Sequence, residues 1–483
     1  MSNSISKHAS IGVSWSFIET SSIYFIRFLV GIILARLLMP ADFGLIGMIM
    51  IFISISDVIV NAGFGQAFIQ KKNATDIDAN TVFFINLAAG LLLYSLLFVS
   101  APLIAVFFNE PLLKDLIRVL SLIVIISSFN VIQISIIRKN FLFKRKALVS
   151  LIASVISGIV GILCAYMGFG VWSLVIQQLV GKSLICIMFY KTSSWTLRLN
   201  VSKESAKSLF SFGGWMLLSN VALAVFNNFY RFVIGRLFNA SELGYYERAR
   251  QFENLVTQTA TSVFGVVAFP VFSKVQDNRQ QLKKMCYHFI VYSSAIVFPL
   301  LMSLIVVARP LILFLLTEKW LPAVPYMQLL CIVGFTVPIY HYIGPILQAV
   351  GYAKMAFVYT VILSALRIVN VIVTFRWGIQ GIILGELFAT IITTLIMSKI
   401  MIPILGFSYI GVIKEFHIIL PATIITGVLG WICLKCLVDL PIWIQVILPV
   451  IIVCLLYGTV LLSLDRKFAE LRRIVYNKAK IWK

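Results

Sequence analysis

Long apolar runs dominate the chain and restrict what it can fold into. A helix needs roughly 20 apolar residues to cross the hydrocarbon core of a bilayer, whereas a membrane strand needs about 10 and alternates polar with apolar residues. The fourteen runs of this sequence match the helical pattern. They predict an all-α polytopic membrane protein. The predicted spans cover residues 11–38, 43–62, 81–108, 112–137, 147–168, 170–190, 208–238, 243–270, 286–316, 323–350, 355–376, 378–402, 414–438 and 441–464.

Composition and loop length exclude several classes of protein. Of the 483 residues, 60% are hydrophobic and only 12% are charged, whereas about a quarter of the residues are charged in a soluble domain. The loops are too short to hold a soluble catalytic domain, and they contain no HExxH, P-loop or nucleophile-elbow motif. We therefore expect no enzyme activity, no catalytic residue, no cofactor and no bound metal.

The distribution of basic residues predicts the orientation. If the N-terminus is cytoplasmic, 26 of the 40 lysines and arginines fall in cytoplasmic loops and ends, and seven fall outside. The positive-inside rule favours this arrangement, in which both termini are cytoplasmic. The net charge of +22 is then mainly a topology signal, and we expect no nucleic-acid partner.

The two halves of the chain are related by a shift of 200 positions. The segments ARLLMPADFG (35–44) and GRLFNASELG (235–244) each end one helix with an arginine and place a helix-capping acid, Asp42 or Glu242, before the next helix. Six helices separate the halves, so the repeat is parallel, and such repeats place a substrate site at their interface near the midplane. The predicted parts are two six-helix lobes (1–204 and 205–402), two further helices (403–464) and a basic amphipathic cytoplasmic tail (465–483).

Two segments carry a family resemblance. The stretch RFLVGIILARLLMPADFGLIGMIMIFISISDVIVNAGFGQAFIQKK (27–72) and the stretch YYERARQFENL (245–255) resemble the polysaccharide-transporter branch of the superfamily that contains Wzx-type flippases, multidrug and toxin extruders, and lipid II flippases. The chain is most similar to exporters of O-antigen or colanic-acid-type repeat units. The resemblance implies a V-shaped pair of six-helix lobes around a cationic cavity.

The resemblance also implies a function and its partners. The cargo would be an undecaprenyl-pyrophosphate-linked oligosaccharide, moved by alternating access across the bacterial inner membrane for O-antigen, capsule or exopolysaccharide synthesis. The implied partners are this lipid-linked oligosaccharide, membrane lipids, and the polysaccharide polymerase and chain-length machinery.

Arginines within the spans are candidate substrate ligands. A charged side chain at the bilayer centre costs about 2.5 to 3.5 kcal/mol, so each one needs a partner or a water-filled cavity. Arg231, Arg248 and Arg250 share one predicted depth, about 9 to 12 Å below the outer surface. They are predicted to bind phosphate or an acidic sugar, as guanidinium groups do. Arg27 is a fourth candidate, and the alternative for it is a structural ion pair with Asp57.

Acidic residues within the spans have a different predicted role. The candidates for ion coupling or charge pairing are Glu19, Asp57, Glu247 and Glu253. Arg367 and Glu386 lie at nearly equal distances from the turn near Trp377, so they are predicted to meet as a structural pair on adjacent antiparallel helices.

Three other functions remain open at this stage. A cation-coupled multidrug or toxin antiporter of the same superfamily would need an acidic ion site, whereas the surplus charge predicted here within the membrane is positive. A membrane polysaccharide polymerase or ligase generally needs a large periplasmic loop, and the predicted outer loops are short. A scaffold protein would not require so many charges within the membrane.

Overall fold

The structure is helical wherever it is described. The computed structural model describes residues 2–61, 64–71, 73–140, 142–192, 195–276, 278–406 and 408–464, and these ranges contain helices and connecting turns but no strand. The all-α prediction is therefore confirmed. The predicted amphipathic tail, residues 465–483, lies outside the described residues.

The chain divides into two compact units, Met1–Glu247 and Arg248–Lys483, and α10 contributes to both. The first unit holds α1 (Ser2–Leu37), α2 (Pro40–Asn61), α3 (Phe64–Gln70), α4 (Asp76–Phe108), α5 (Leu113–Leu120), α6 (Leu122–Lys139), α7 (Phe143–Tyr166), α8 (Trp172–Thr192), α9 (Lys203–Leu237) and the start of α10 (Ala240–Lys274). The second unit holds the rest of α10, α11 (Arg279–Val306), α12 (Ala308–Leu315), α13 (Ala323–Gly334), α14 (Val337–Tyr340), α15 (Ile343–Ala349), α16 (Ala353–Thr374), α17 (Gly378–Leu405), α18 (Tyr409–Glu415), α19 (Ile419–Cys436) and α20 (Ile442–Leu464). The predicted lobe boundary at 204 stays a prediction.

Eleven helical segments in the described part of the chain are long and apolar enough to cross a membrane, against fourteen predicted spans. One of the eleven, Phe357–Lys399, covers most of both α16 and α17. The helices α9 and α10 have 35 residues each and are not among the eleven segments found in the described residues. The protein is thus a multi-pass membrane protein, and the number fourteen stays a prediction.

The two loops related by the repeat pack against each other. A Cβ atom added to Gly44 of α2 would lie 1.7 Å from the carbonyl oxygen of Ala240, and one added to Gly244 of α10 would lie 2.0 Å from that of Pro40. Because residues 40 and 240, like 44 and 244, are related by the 200-residue shift, the contact is reciprocal. Only glycine allows such a close approach of two backbones. We call these four residues the glycine crossing.

Polar side chains cap the helices at this crossing. Asp42 accepts a hydrogen bond from the backbone N–H of Met39 at 2.9 Å, which satisfies one donor at the start of α2. In the second loop, Asn239 accepts from the backbone N–H of Glu242 at 2.8 Å. The predicted capping role of Asp42 is therefore observed, and at the start of α10 the side chain of Asn239, three residues before Glu242, acts as a cap.

Candidate functional site

A cavity of about 590 Å³ lies between α2 and α9 in the first unit. Pockets of this size hold small ligands in many proteins. We call it the α2–α9 cavity. Its lining residues are Ser54, Asp57, Val58 and Asn61 of α2, Asn220, Leu223, Ala224, Asn227 and Asn228 of α9, and Arg138 of α6.

The spacing of the lining residues explains why two helices build the cavity. Residues 54, 57, 58 and 61 lie at helical intervals of three, four and seven, so they share one face of α2. Residues 220, 223, 224, 227 and 228 share one face of α9 in the same way. Each face combines hydrogen-bonding groups with small or aliphatic side chains. The cavity can therefore bind a ligand that is both polar and partly apolar.

Hydrogen bonds fix one end of the cavity. The side-chain amide of Asn228 donates to Ser54 Oγ at 2.9 Å and to the backbone oxygen of Ala224 at 2.8 Å, and its Oδ1 accepts from Arg231 Nη1 at 3.1 Å. This amide is therefore engaged in holding α9 against α2. Asn61 donates to the backbone oxygen of Asp57 at 2.8 Å.

Two other asparagine side chains of the cavity wall do not hold α9 against α2. The side chains of Asn220 and Asn227 make no hydrogen bond with any residue that the structure describes. Asn227 is exposed and Asn220 is partly exposed. Their donors and acceptors are thus available to a ligand.

Among the described residues that line the cavity, one carries a carboxylate and one a guanidinium group. Asp57 Oδ2 lies 3.1 Å from Lys182 Nζ of α8, which also donates to Ser127 Oγ at 3.4 Å. Arg138 is exposed and makes no ion pair or hydrogen bond within the described residues. Because Asp57 is already paired, Arg138 supplies the available charge among the described lining residues.

Arg27 and the acids predicted near it occupy separate environments. Arg27 is exposed on α1 and does not line the α2–α9 cavity. The alternative interpretation, an ion pair between Arg27 and Asp57, is wrong, because the partner of Asp57 is Lys182. Glu19 is buried and accepts from Lys146 Nζ at 2.7 Å and from Ser150 Oγ at 3.0 Å. This interaction joins α1 to α7.

Arg231 of the first unit is neutralised by an acid. Its Nε and Nη2 atoms donate to the two carboxylate oxygens of Glu247 at 2.5 and 2.9 Å. This bidentate geometry is the strong form of an arginine–carboxylate pair. Because Arg231 also donates to Asn228, the ion pair helps to hold this residue of the cavity wall in place.

A four-residue charge network connects α10, α16 and α17 in the second unit. Arg250 Nη2 lies 2.6 Å from Glu386 Oε2, and Arg250 Nη1 lies 3.8 Å from Glu253 Oε2. Arg367 Nη2 lies 3.8 Å from Glu386 Oε1, so the structure brings the predicted pair together. Two arginines and two glutamates balance formally. We call these four residues the charge network.

Arg248 lies beside an aromatic ring. It is buried, donates to Gln251 Oε1 at 2.5 Å, and its guanidinium carbon is 5.7 Å from the ring centroid of Trp320. The prediction that Arg231, Arg248 and Arg250 bind substrate is untested, but acids already neutralise Arg231 and Arg250. The prediction placed three arginines at one depth and expected a surplus of positive charge there. Because two of them are paired with acids, that surplus is smaller than predicted.

Sequence reasoning misses most of the cavity. It assigns Arg138 to the topology signal and treats the amides of Asn61, Asn220, Asn227 and Asn228 as ordinary members of apolar runs. Three of these amides recur on one face of α9, which is an unusual pattern for a membrane span. That periodicity could have indicated the cavity.

Comparison with known proteins places the chain in a family. Residues 33–325 match the family model described as "Polysaccharide biosynthesis protein". The lipopolysaccharide biosynthesis protein WzxC of Escherichia coli (strain K12) is 25% identical over 431 residues, which cover 87% of each chain. The succinoglycan biosynthesis transport protein ExoT of Rhizobium meliloti (strain 1021) is 27% identical over 73% of this chain and 71% of its own.

The fold is also that of a solved structure. The lipid II flippase MurJ in its inward closed conformation superposes with a TM-score of 0.74 at 19% identity, covering 92% of this chain and 98% of its own. At that identity the similarity concerns the fold. The family model covers more than half of the sequence, from the last turn of α1 to the first residues of α13. The chain therefore belongs to the polysaccharide biosynthesis protein family.

Proposed function

We propose that this protein is a flippase that moves an undecaprenyl-pyrophosphate-linked oligosaccharide across the bacterial inner membrane by alternating access. The observation that carries the proposal is the α2–α9 cavity, which places hydrogen-bonding amides and an available arginine among membrane helices. The names of WzxC and ExoT connect those relatives with lipopolysaccharide and succinoglycan biosynthesis. MurJ, which shares the fold, is a lipid II flippase.

The position of the cavity supports loading from the cytoplasm. At 1.5 Å per residue, Ser54 and Asn61 lie about 21 and 31 Å along α2 from Pro40. With the N-terminus in the cytoplasm, Pro40 is at the periplasmic end of α2. The cavity then lies in the cytoplasmic half of a bilayer whose apolar core is about 30 Å thick. A lipid-linked sugar in the inner leaflet could reach it.

The chemistry favours transport over the alternative functions. The carboxylate that lines the cavity, Asp57, is paired with Lys182, which competes with any coupling cation of an antiporter. A polymerase or ligase would need groups that activate a sugar hydroxyl or a leaving phosphate. The amides of the cavity wall bind hydroxyl groups but do not exchange protons near neutral pH.

Arg138 is expected to hold the pyrophosphate while the cargo is loaded. Replacing Arg138 by alanine should lower the amount of exported polysaccharide at least tenfold, because a hydrogen bond to a charged group contributes about 1.5 to 3 kcal/mol. Lysine should restore export partly, since it keeps the charge but lacks the planar fork. The measurement is surface polysaccharide per inserted protein.

A matched control separates this role from topology. Arg145 lies at the start of α7 and does not line the cavity. The Arg145→Ala variant removes the same charge from the same predicted cytoplasmic region, so it should export normally. Equal losses in the two variants would mean that Arg138 acts only through the positive-inside rule.

Depletion in the cell tests the proposed function. Loss of a flippase should make the lipid-linked repeat unit accumulate on the cytoplasmic face, whereas loss of a polymerase or ligase should make it accumulate on the periplasmic face. The two faces are distinguished by labelling intact cells and inverted vesicles with a reagent that does not cross the membrane. Accumulation on the periplasmic face would contradict the proposal.

A further inference from the structure

Two asparagine side chains that line the α2–α9 cavity have no hydrogen-bonding partner among the described residues. Asn220 and Asn227 are seven residues apart on α9, so they lie on one face about two turns apart. Neither side chain donates to or accepts from any other residue in the described part of the chain. An amide within a predicted membrane span is costly unless it has a hydrogen-bonding partner or faces a water-filled cavity. Because both amides line the cavity, a ligand bound there would take the place of water as their partner.

The surroundings of the two amides define the chemistry of that ligand. Leu223 lies between them along the helix, and Val58 of α2 also lines the cavity. Each amide offers two N–H donors and a carbonyl acceptor. A sugar ring presents hydroxyl groups, which both donate and accept, around an apolar face of C–H groups. A pyrophosphate, by contrast, offers only acceptors and needs cationic or N–H donors.

No hydrogen bond among the described residues links Asn220 or Asn227 to a charged group of the cavity. Asp57 is paired with Lys182, and the neighbouring Asn228 is fully engaged by Ser54, Ala224 and Arg231. Asn220 and Asn227 thus present neutral groups to the cavity. We infer that they form a binding site for the uncharged, hydroxyl-bearing sugars of the cargo, separate from the group that binds its pyrophosphate. This inference rests on the proposed function, and it assigns the sugar part of the cargo to α9.

The test measures sugar and phosphate binding separately. Full-length protein in nanodiscs is titrated with the repeat-unit oligosaccharide, prepared from the host's own surface polysaccharide by partial hydrolysis, and binding is followed by saturation-transfer difference NMR. A second titration uses undecaprenyl pyrophosphate, which carries no sugar. The variants are Asn220→Leu, Asn227→Leu and the double variant. Leucine keeps the approximate volume and makes the span more apolar, so membrane insertion is retained.

We expect each single substitution to weaken oligosaccharide binding at least tenfold and the double variant to bind no oligosaccharide. The affinity for undecaprenyl pyrophosphate should change less than twofold. The control is Gln348→Leu, which removes an exposed amide of α15 that is not part of the cavity wall. It should bind both probes as the wild type does.

Several results would overturn the inference. Unchanged oligosaccharide affinity in the double variant, or absence of oligosaccharide binding to the wild type, would show that these amides do not bind the sugar. An equal loss of undecaprenyl pyrophosphate binding would place the phosphate, rather than the sugar, at α9. None of these results affects the depletion test, which uses the wild-type chain. Failure of the proposed function would instead appear as accumulation on the periplasmic face.

Discussion

Replacing Gly44 by alanine should abolish export. The new Cβ atom would lie 1.7 Å from the carbonyl oxygen of Ala240, far inside any van der Waals contact. Overpacking costs about 1 to 3 kcal/mol when side chains can move aside, and here the obstacle is backbone. The starts of α2 and α10 would have to separate. The proposed orientation places this glycine crossing on the periplasmic side, so the substitution should keep that end of the pathway from closing.

The reciprocal geometry gives a second variant with the same expected result. Gly244→Ala would place its Cβ 2.0 Å from the carbonyl oxygen of Pro40, so export should be lost to a similar extent. A Cβ atom added to Gly458 of α20 would meet no described atom within 4 Å, so Gly458→Ala should export normally. Export and the amount of inserted protein are measured together. Normal export by inserted Gly44→Ala protein would show that the two loops are not held this closely during transport.

Removing Glu386 should destabilise the second unit strongly. Glu386 contacts Arg250 and Arg367, and only 6% of its side chain is exposed. Breaking a buried ion pair by deleting one partner costs about 3 to 5 kcal/mol, because the opposite charge is left without compensation. We expect Glu386→Ala to lower the Tm of the purified protein by several degrees. Glu386→Gln should lose less, since it can still accept a hydrogen bond from Arg250.

A double variant tests whether the loss of stability in Glu386→Ala comes from an arginine that is left without its acid. Adding Arg367→Met to Glu386→Ala leaves Arg250 and Glu253 as a balanced pair, so the Tm should rise relative to Glu386→Ala alone. The control is Glu318→Ala, since Glu318 is exposed and outside the charge network. Its Tm should stay close to that of the wild type. A further fall in Tm in the double variant would contradict this account of the charge network.

The sequence predicted features that depend on local geometry. Hydrophobic run length gave the helical membrane class, and the repeat identified the two loops that form the glycine crossing. Arg367 and Glu386 could be matched because residues at equal distances from a tight turn meet on adjacent antiparallel helices. Run length and pairing across a turn depend on one helix or one hairpin, and the repeat depends only on comparing one half of the sequence with the other.

Partners that are distant in the chain could not be predicted in this way. Arg250 and Glu386 are 136 residues apart, and Lys182 and Asp57 are 125 apart. Depth along a helix can be estimated from residue number, but the direction in which a side chain points around the helix depends on packing. The cavity amides were missed for a related reason. Mean hydropathy averages over all faces of a helix. A helix with one polar face, such as α9, therefore has only a lower mean hydropathy, which does not reveal that its polar residues share a face.

The most direct test of the central claim uses purified protein in sealed liposomes. The vesicles carry a fluorescent undecaprenyl-pyrophosphate-linked repeat unit in both leaflets, and a quencher that does not cross the membrane is added outside. If the protein is a flippase, the quencher should reach nearly all of the labelled lipid with the wild-type chain and only the outer-leaflet lipid with Gly44→Ala. If wild-type liposomes retain the same protected fraction as protein-free liposomes, the protein does not flip this lipid.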